Sequence, residues 1–166
     1  MKSILYFAYG SNMSSGRLVD RVPSAEHVGV ARLESHRLVF HKKGKDGSAK
    51  CDAQHTGNPE DFIFGVVYSL PETEKVLLDQ KEGLGHGYDE KQVLVQATQG
   101  EWLEAVTYFA LKVDPDLKPF HWYKQHVLIG ARENGLPADY IQWIDSVSSI
   151  EDNHPDRYDS EMAIYR

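Results

Sequence analysis

The sequence predicts an α+β fold with a mixed or barrel-like sheet, and three observations support this. Short apolar stretches of strand character recur along the 166 residues and are mostly separated by short turns. Segments in which apolar residues recur at helical spacing are inserted between them. The composition, with 41% hydrophobic and 26% charged residues, is typical of a globular protein, and the length suits one domain.

The first apolar stretch, residues 4–9, predicts a buried strand that stops at Gly10. Glycine is expected there because it reaches backbone conformations that other residues avoid. The serines and the asparagine that follow offer N-cap oxygens for a short helix over residues 16–21. A strand, a glycine turn and a helix start leave several amide N–H groups unpaired, which predicts a site for an anion such as a carboxylate. An ordinary buried strand with a tight turn is the alternative, and the pattern alone favours it.

The next strands are predicted over residues 27–33, 37–40 and, weakly, 51–56. A continuous apolar run, residues 62–68, predicts a strand at the centre of the sheet. The charged loop of residues 42–47 contains two glycines and is interpreted as a solvated hairpin tip. A lid beside an acidic substrate is the alternative for this loop.

The second half of the chain alternates helices with a hairpin. Residues 69–72 resemble a capping box that opens a helix ending at Glu82, with Gly83 as its C-terminal stop. Residues 91–97 and 101–111 predict a hairpin, and Pro119 and Pro137 each open a further helix. We expect residues 1–147 to form the domain. Residues 148–166 are expected to be a polar C-terminal tail that belongs to it or lies on its surface.

The charge and the single cysteine limit the classes of function. Eighteen basic and 25 acidic residues give a formal charge of −7, which on average repels nucleic acid and anionic membranes and favours a small-molecule partner. Cys51 cannot form an internal disulfide. It is expected to be a half-buried strand residue rather than a nucleophile. No apolar run approaches 18 residues and no signal-peptide pattern follows Met1, so a cytoplasmic location is expected.

Metal and cofactor sites are not expected. The eight histidines show no ligand spacing, and His121 and His126 diverge on a helix. The glycines of residues 83–87 do not have the spacing of a dinucleotide-binding or P-loop motif. The sequence therefore predicts no metal site and no cofactor.

Three stretches resemble the gamma-glutamylcyclotransferase family, also called AIG2-like. Residues 6–13, Tyr-Phe-Ala-Tyr-Gly-Ser-Asn-Met, are similar to its N-terminal signature Y-F-A-Y-G-S-N-L. Residues 78–83 and residues 123–137 resemble two further family blocks in the same order. The resemblance covers residues 4–147 approximately and implies a small mixed-sheet β-barrel of about six strands with flanking α-helices.

The resemblance also implies an activity and a set of site residues. Family members cyclise a γ-glutamyl group to 5-oxoproline and release the attached amino acid, a lyase-type reaction of glutathione metabolism. Glu82 matches the family's proton-transfer glutamate in its D-x-x-E-G block. Its position in the last turn of a helix, beside the negative end of the dipole, favours a raised pKa. The family's substrate-binding residues match Tyr9, Gly10, Ser11, Asn12, Met13, Tyr88 and Tyr123.

Three alternatives stay open at this point. The chain could act on γ-glutamylamines instead of γ-glutamyl amino acids. It could be a non-catalytic protein that binds γ-glutamyl compounds or other carboxylates, or it could have a structural role. A homodimer is also open.

Overall fold

The computed structural model describes residues 2–166, and a closed five-stranded barrel lies at its centre. The strands are β1 (Ser3–Ala8), β2 (Glu26–Glu34), β3 (His36–Lys43), β4 (Ala49–His55), β5 (Phe62–Pro71), β6 (Tyr88–Ala97) and β7 (Trp102–Ala110). The barrel order is β1-β5-β2-β6-β7, closed by a parallel pairing of β7 with β1. The other barrel pairings are antiparallel.

Five α-helices within residues 2–166 flank the barrel. They are α1 (Ser15–Arg21), α2 (Lys75–Glu82), α3 (His121–Glu133), α4 (Ala138–Ser146) and α5 (Arg157–Met162). The predicted class, α+β with a mixed-sheet barrel and flanking helices, is confirmed. The barrel has five strands instead of about six because β3 and β4 pair with each other in a separate two-stranded sheet.

Strand β5 is central, as its apolar run predicts. It pairs with β1 on one side and β2 on the other, and Ile63, Val66 and Leu70 are completely buried. Gly65 is needed where β5 meets β1, because a Cβ there would lie 2.5 Å from the carbonyl oxygen of Ala8. The hydrophobic core thus fixes the strand that leads into the Gly10 turn.

The predicted capping box at residues 69–72 is wrong. Strand β5 continues to Pro71, where Ser3 of β1 is its partner, so Ser69 is paired in the sheet and cannot cap a helix. Helix α2 begins later, at Lys75, without a side-chain cap. The predicted stop at Gly83 is confirmed: φ is 65°, and its N–H donates to carbonyls of the last turn.

The last part of the chain packs beside α1 and α3. Helix α5 buries Met162, and Tyr165 in the following 3₁₀ turn is hydrogen-bonded to Ser14. The division at residue 147 stays a prediction. No helix within residues 2–166 has the length and apolar character that crossing a membrane requires.

Candidate active site

A cavity of about 610 Å³ opens where the Gly10 turn, the end of α2, the β3–β4 hairpin and α3 meet. Its volume is in the range of small-molecule sites. The structure brings seven of the eight predicted site residues to its wall: Tyr9, Gly10, Ser11, Asn12, Glu82, Tyr88 and Tyr123.

Met13 is not among the residues that line the cavity, and its place in the substrate cradle stays a prediction. Its side chain is completely buried, and its N–H donates to the carbonyl of Gly10. Its own carbonyl accepts from the hydroxyl of Tyr68 at 2.7 Å. Met13 therefore holds the turn in place from the core side, where α3 approaches so closely that Gly130 has no room for a Cβ.

Asn12 and Glu82 are in direct contact at the base of the cavity. Asn12 Nδ2 donates to Glu82 Oε1 at 2.8 Å and lies 3.2 Å from the hydroxyl oxygen of Tyr6. Asn12 is 3% exposed, and its Oδ1 is buried without a hydrogen-bond partner among the described residues. A buried acceptor of this kind is costly unless a ligand supplies a donor.

Burial raises the pKa of Glu82 above its usual value. The nearby guanidinium groups of Arg21 and Arg17, the hydrogen bond from Asn12 and the charge of Lys42 oppose this effect. The closest of these cations is Arg21, whose Nη1 lies 3.8 Å from Glu82 Oε1. The Glu82 carboxylate belongs to the last residue of α2 and lines the cavity, where it can exchange a proton with a bound molecule.

The Gly10 turn presents amide groups to the cavity. The N–H groups of Gly10, Ser11 and Asn12 donate to no group among residues 2–166, whereas those of Met13 and Ser14 close the turn. Gly10 has φ of −113° and ψ of −135°, outside the helical and extended regions that residues with a Cβ usually adopt. Space favours a glycine as well, because a Cβ there would lie 3.0 Å from Cys51 Cβ.

Two tyrosines hold the backbone of Cys51 at the opposite wall. Tyr88 donates to the Cys51 carbonyl at 2.6 Å, and the Cys51 N–H donates to the Tyr123 hydroxyl at 2.9 Å. The Tyr123 hydroxyl is the acceptor in this bond, so the bond does not use its proton. Burial raises the pKa of both phenols well above the usual value, so both are neutral near pH 7.

Cys51 is buried rather than half-buried, and 1% of it is exposed. Burial raises the pKa of its thiol to about 12. A thiol of this kind is protonated at neutral pH, whereas the thiolate is the nucleophile. The structure therefore gives no support for a nucleophilic Cys51. Among residues 2–166, no group of His, Cys, Asp and Glu side chains is arranged to hold a metal ion.

Sequence reasoning missed the charged groups around these residues. Nine lysines and arginines line the cavity against three acidic residues, although the chain carries a formal charge of −7. Arg17 and Arg21 lie four residues apart on α1, a spacing that places both on one helical face and was a usable signal. The loop of residues 42–47, interpreted as a solvated hairpin tip, contributes five residues to the cavity wall.

Glu161 on α5 completes the site from the predicted tail. Its Oε1 accepts from Arg17 Nη1 at 2.7 Å and lies 2.9 Å from His126 Nε2. Arg17 in turn donates through Nε to Ser11 Oγ at 3.1 Å. The hydrogen bond with His126 and the guanidinium of Arg17 lower the pKa of Glu161 to about 2, against the effect of burial.

The cavity beside the barrel combines a carboxylate, unpaired amides and an excess of cations, an arrangement that suits a small anionic molecule. A model of the AIG2-like family matches residues 62–144. Gamma-glutamylcyclotransferase of Bos taurus is 33% identical over 153 residues, 88% of this chain and 79% of the bovine protein. That of Homo sapiens is 33% identical over 159 residues, 92% of this chain and 81% of the human protein.

A solved structure described as a gamma-glutamyl cyclotransferase superposes with a TM-score of 0.85 at 27% identity. The superposition covers 96% of this chain and 99% of that one. The chain belongs to the AIG2-like, gamma-glutamylcyclotransferase family. The resemblance inferred from the three sequence stretches is thereby confirmed.

Proposed function

We propose that this enzyme cyclises γ-glutamyl amino acids or peptides to 5-oxoproline and releases the attached amino acid or peptide. The observation that carries the proposal is the Asn12–Glu82 contact at 2.8 Å beside the unpartnered Asn12 Oδ1. It places a proton acceptor and a free hydrogen-bond acceptor side by side, which suits an α-ammonium group. Family membership supports the same reaction.

The substrate's own α-nitrogen is the nucleophile in this reaction. Glu82 takes a proton from the α-ammonium, and the freed lone pair attacks the γ-carbonyl carbon to give a tetrahedral oxyanion. The bond from that carbon to the leaving nitrogen then breaks as Glu82 returns the proton to this nitrogen. Glu82 also takes the second proton that the ring nitrogen must lose to become the lactam N–H, and the released amine takes up that proton as an ammonium. One carboxylate can serve these transfers. Because the attack is intramolecular, the protein mainly has to hold the ring-closing conformer.

The Gly10 turn supplies an anion site for this conformer. The N–H groups of Gly10, Ser11 and Asn12 can hold either the α-carboxylate or the developing oxyanion. The Tyr123 hydroxyl can donate its proton to either the α-carboxylate or the oxyanion. Tyr88 forms a wall of the pocket with its ring.

The proposal is tested by incubating the purified protein with γ-glutamyl compounds and assaying 5-oxoproline. γ-Glutamyl amino acids should give 5-oxoproline and the free amino acid. Their N-acetyl analogues should give neither, because acetylation removes the nucleophilic lone pair. Glutamate released from the blocked analogue would point to a hydrolase. Binding of both compounds without any product would favour a non-catalytic protein.

A γ-glutamylamine in the same panel tests the amine alternative. Arg17, Arg21 and the cavity lysines favour a leaving group with a carboxylate, which an amine lacks. A cytoplasmic location, a homodimer and a role in glutathione metabolism stay predictions.

A further inference from the structure

Five lysines form one side of the cavity, and the proposed reaction uses none of them. We call this group the lysine wall; its members are Lys42, Lys43, Lys45, Lys50 and Lys112. Four come from the β3–β4 hairpin, and Lys112 is joined to it because the N–H of Lys43 donates to its carbonyl at 2.9 Å. The one acidic side chain that the hairpin adds to the cavity, Asp46, is hydrogen-bonded to Lys50 at 2.9 Å.

Lys42 is the member that most needs an anion. It is 8% exposed, and its Nζ lies 4.7 Å from the centre of the Tyr88 ring. The backbone of the segment after α2 lies against it, since a Cβ at Gly87 would be 2.9 Å from Nζ. Lys42 forms no ion pair with the residues that the structure describes. The charges of Glu82 and Asp46 act on Lys42 without forming an ion pair with it, so an anion in direct contact with Nζ would stabilise this largely buried ammonium further.

Lys50 is a second cation on this wall, and it faces a different part of it. Its Nζ lies 4.5 Å from the Trp122 ring and 4.7 Å from the Tyr123 ring, on the side of α3. Lys42 instead contacts Tyr88. Lys42 and Lys50 thus lie against different aromatic rings, and only Lys50 has an ion pair among the described residues, with Asp46. The exposed Lys43, Lys45 and Lys112 add positive charge around them.

The γ-glutamyl part of the substrate occupies the Gly10 turn and the Asn12–Glu82 pair in the proposed reaction. The leaving group must then extend into the rest of the cavity, where the lysine wall lies. Resting on the proposed function, we infer that the preferred leaving group carries a side-chain carboxylate in addition to its α-carboxylate. An acidic residue joined through its nitrogen to the γ-carbonyl fits this description.

The experiment compares γ-glutamyl-glutamate with γ-glutamyl-glutamine, which match in shape and differ by one charge. In 5-oxoproline formation, we expect kcat/KM to favour the glutamate compound by about tenfold or more, as one close charge pair gives. The preference should shrink at high salt because exposed members of the wall are screened. In Lys42→Met the preference should fall several-fold, whereas Lys2→Met, outside the cavity, should keep it.

Two further measurements keep the inference falsifiable. If Lys42→Met does not fold, the triple variant Lys43→Met, Lys45→Met, Lys112→Met replaces exposed side chains and should also reduce the preference. Calorimetric titration of the two N-acetylated compounds reports the charge preference without catalysis. Equal affinities and equal kcat/KM values for the two compounds would overturn the inference and leave the proposed function intact. Tighter binding of the acidic analogue without any 5-oxoproline would support the lysine wall and reject the proposed function.

Discussion

Two glutamates line the same cavity, and their surroundings move their pKa values in opposite directions. Glu82 accepts one amide hydrogen bond and lies 3.8 Å from its nearest guanidinium, so burial prevails and its pKa is raised. Glu161 is in direct contact with His126 and Arg17, which lower its pKa to about 2. Contact with a charged donor fixes a carboxylate as an anion, whereas a neutral amide leaves it able to exchange a proton.

The largest expected difference between Glu82 and Glu161 is the loss of activity when each is replaced by glutamine. Glu82→Gln should lose activity on the order of 10²–10⁴-fold because the amide cannot accept a proton. The Gln oxygen can still accept from Asn12, so the fold should be preserved. Because its pKa is raised, Glu82 binds its proton more tightly in the folded state than in the unfolded state. The stability of the fold therefore falls as the pH rises through the folded-state pKa. The Tm of Glu82→Gln at pH 7 should therefore be no lower than that of the wild type.

Steady-state rates of 5-oxoproline formation and thermal melts test this prediction. Glu161→Gln is the matched control, with the same chemical change in the same cavity. A rate for Glu82→Gln close to that of the wild type would show that Glu82 does not transfer the proton.

Gly10→Val tests whether the Gly10 turn positions the substrate beside Glu82. The added atoms would meet Cys51, whose Cβ lies 3.0 Å from an ideal Cβ at position 10, and would displace the amide turn. We expect kcat/KM to fall by roughly 10²-fold, as displacements of about 1 Å do in a positioned site. The N-acetylated analogue should bind less tightly as well, which calorimetry can measure. Unchanged affinity for that analogue would show that the turn does not hold the substrate.

Glu161→Gln should have a smaller effect on activity. Glu161 acts through Arg17, which holds the hydroxyl of Ser11 at 3.1 Å, so its loss loosens the turn without touching the reacting atoms. We expect a loss of about three- to tenfold, mainly in KM, which corresponds to one weakened hydrogen bond of about 1 kcal/mol. Separate measurement of kcat and KM checks this, and a loss in kcat as large as that of Glu82→Gln would show that Glu161 also takes part in the chemical step.

The locally encoded features were predictable from sequence. Gly83 ends α2 because only a residue tolerant of positive φ fits there, and this placed Glu82 at the helix end. The strand and turn of residues 6–12 were predicted from an apolar run that ends at a glycine followed by small polar residues. The apolar run of β5 likewise predicted its central position.

Features that depend on distant contacts were not predictable in the same way. The pairing of Pro71 with Ser3 overrides the local capping signal at Ser69. Glu161 reaches Arg17 across 144 positions, so its role could not be inferred from a polar C-terminal composition. The lysine wall likewise depends on how the β3–β4 sheet lies against the barrel.

The smallest expected effect is on acid stability. Glu161 has a pKa of about 2 in the folded protein against 4.5 ordinarily, so its stabilisation is present above about pH 4.5 and is lost towards pH 2. The Tm of the wild type should therefore fall more steeply than that of Glu161→Gln across this range, by roughly 2–4 °C for each 1 kcal/mol lost. Parallel Tm curves for the two proteins from pH 5 to pH 2 would show that the ion pair does not contribute.

The pH dependence of kcat/KM tests the central claim most directly, since it reports the ionisation of the free enzyme's base. Glu82 must be deprotonated to accept the α-ammonium proton, so the rate should fall on the acid side. The apparent pKa of that limb should lie above 4.5, the usual glutamate value, because Glu82 is buried. The limb should be kept in Glu161→Gln. A limb at or below the usual glutamate value, or one that persists unchanged in Glu82→Gln, would contradict the assignment of Glu82 as the proton-transfer group.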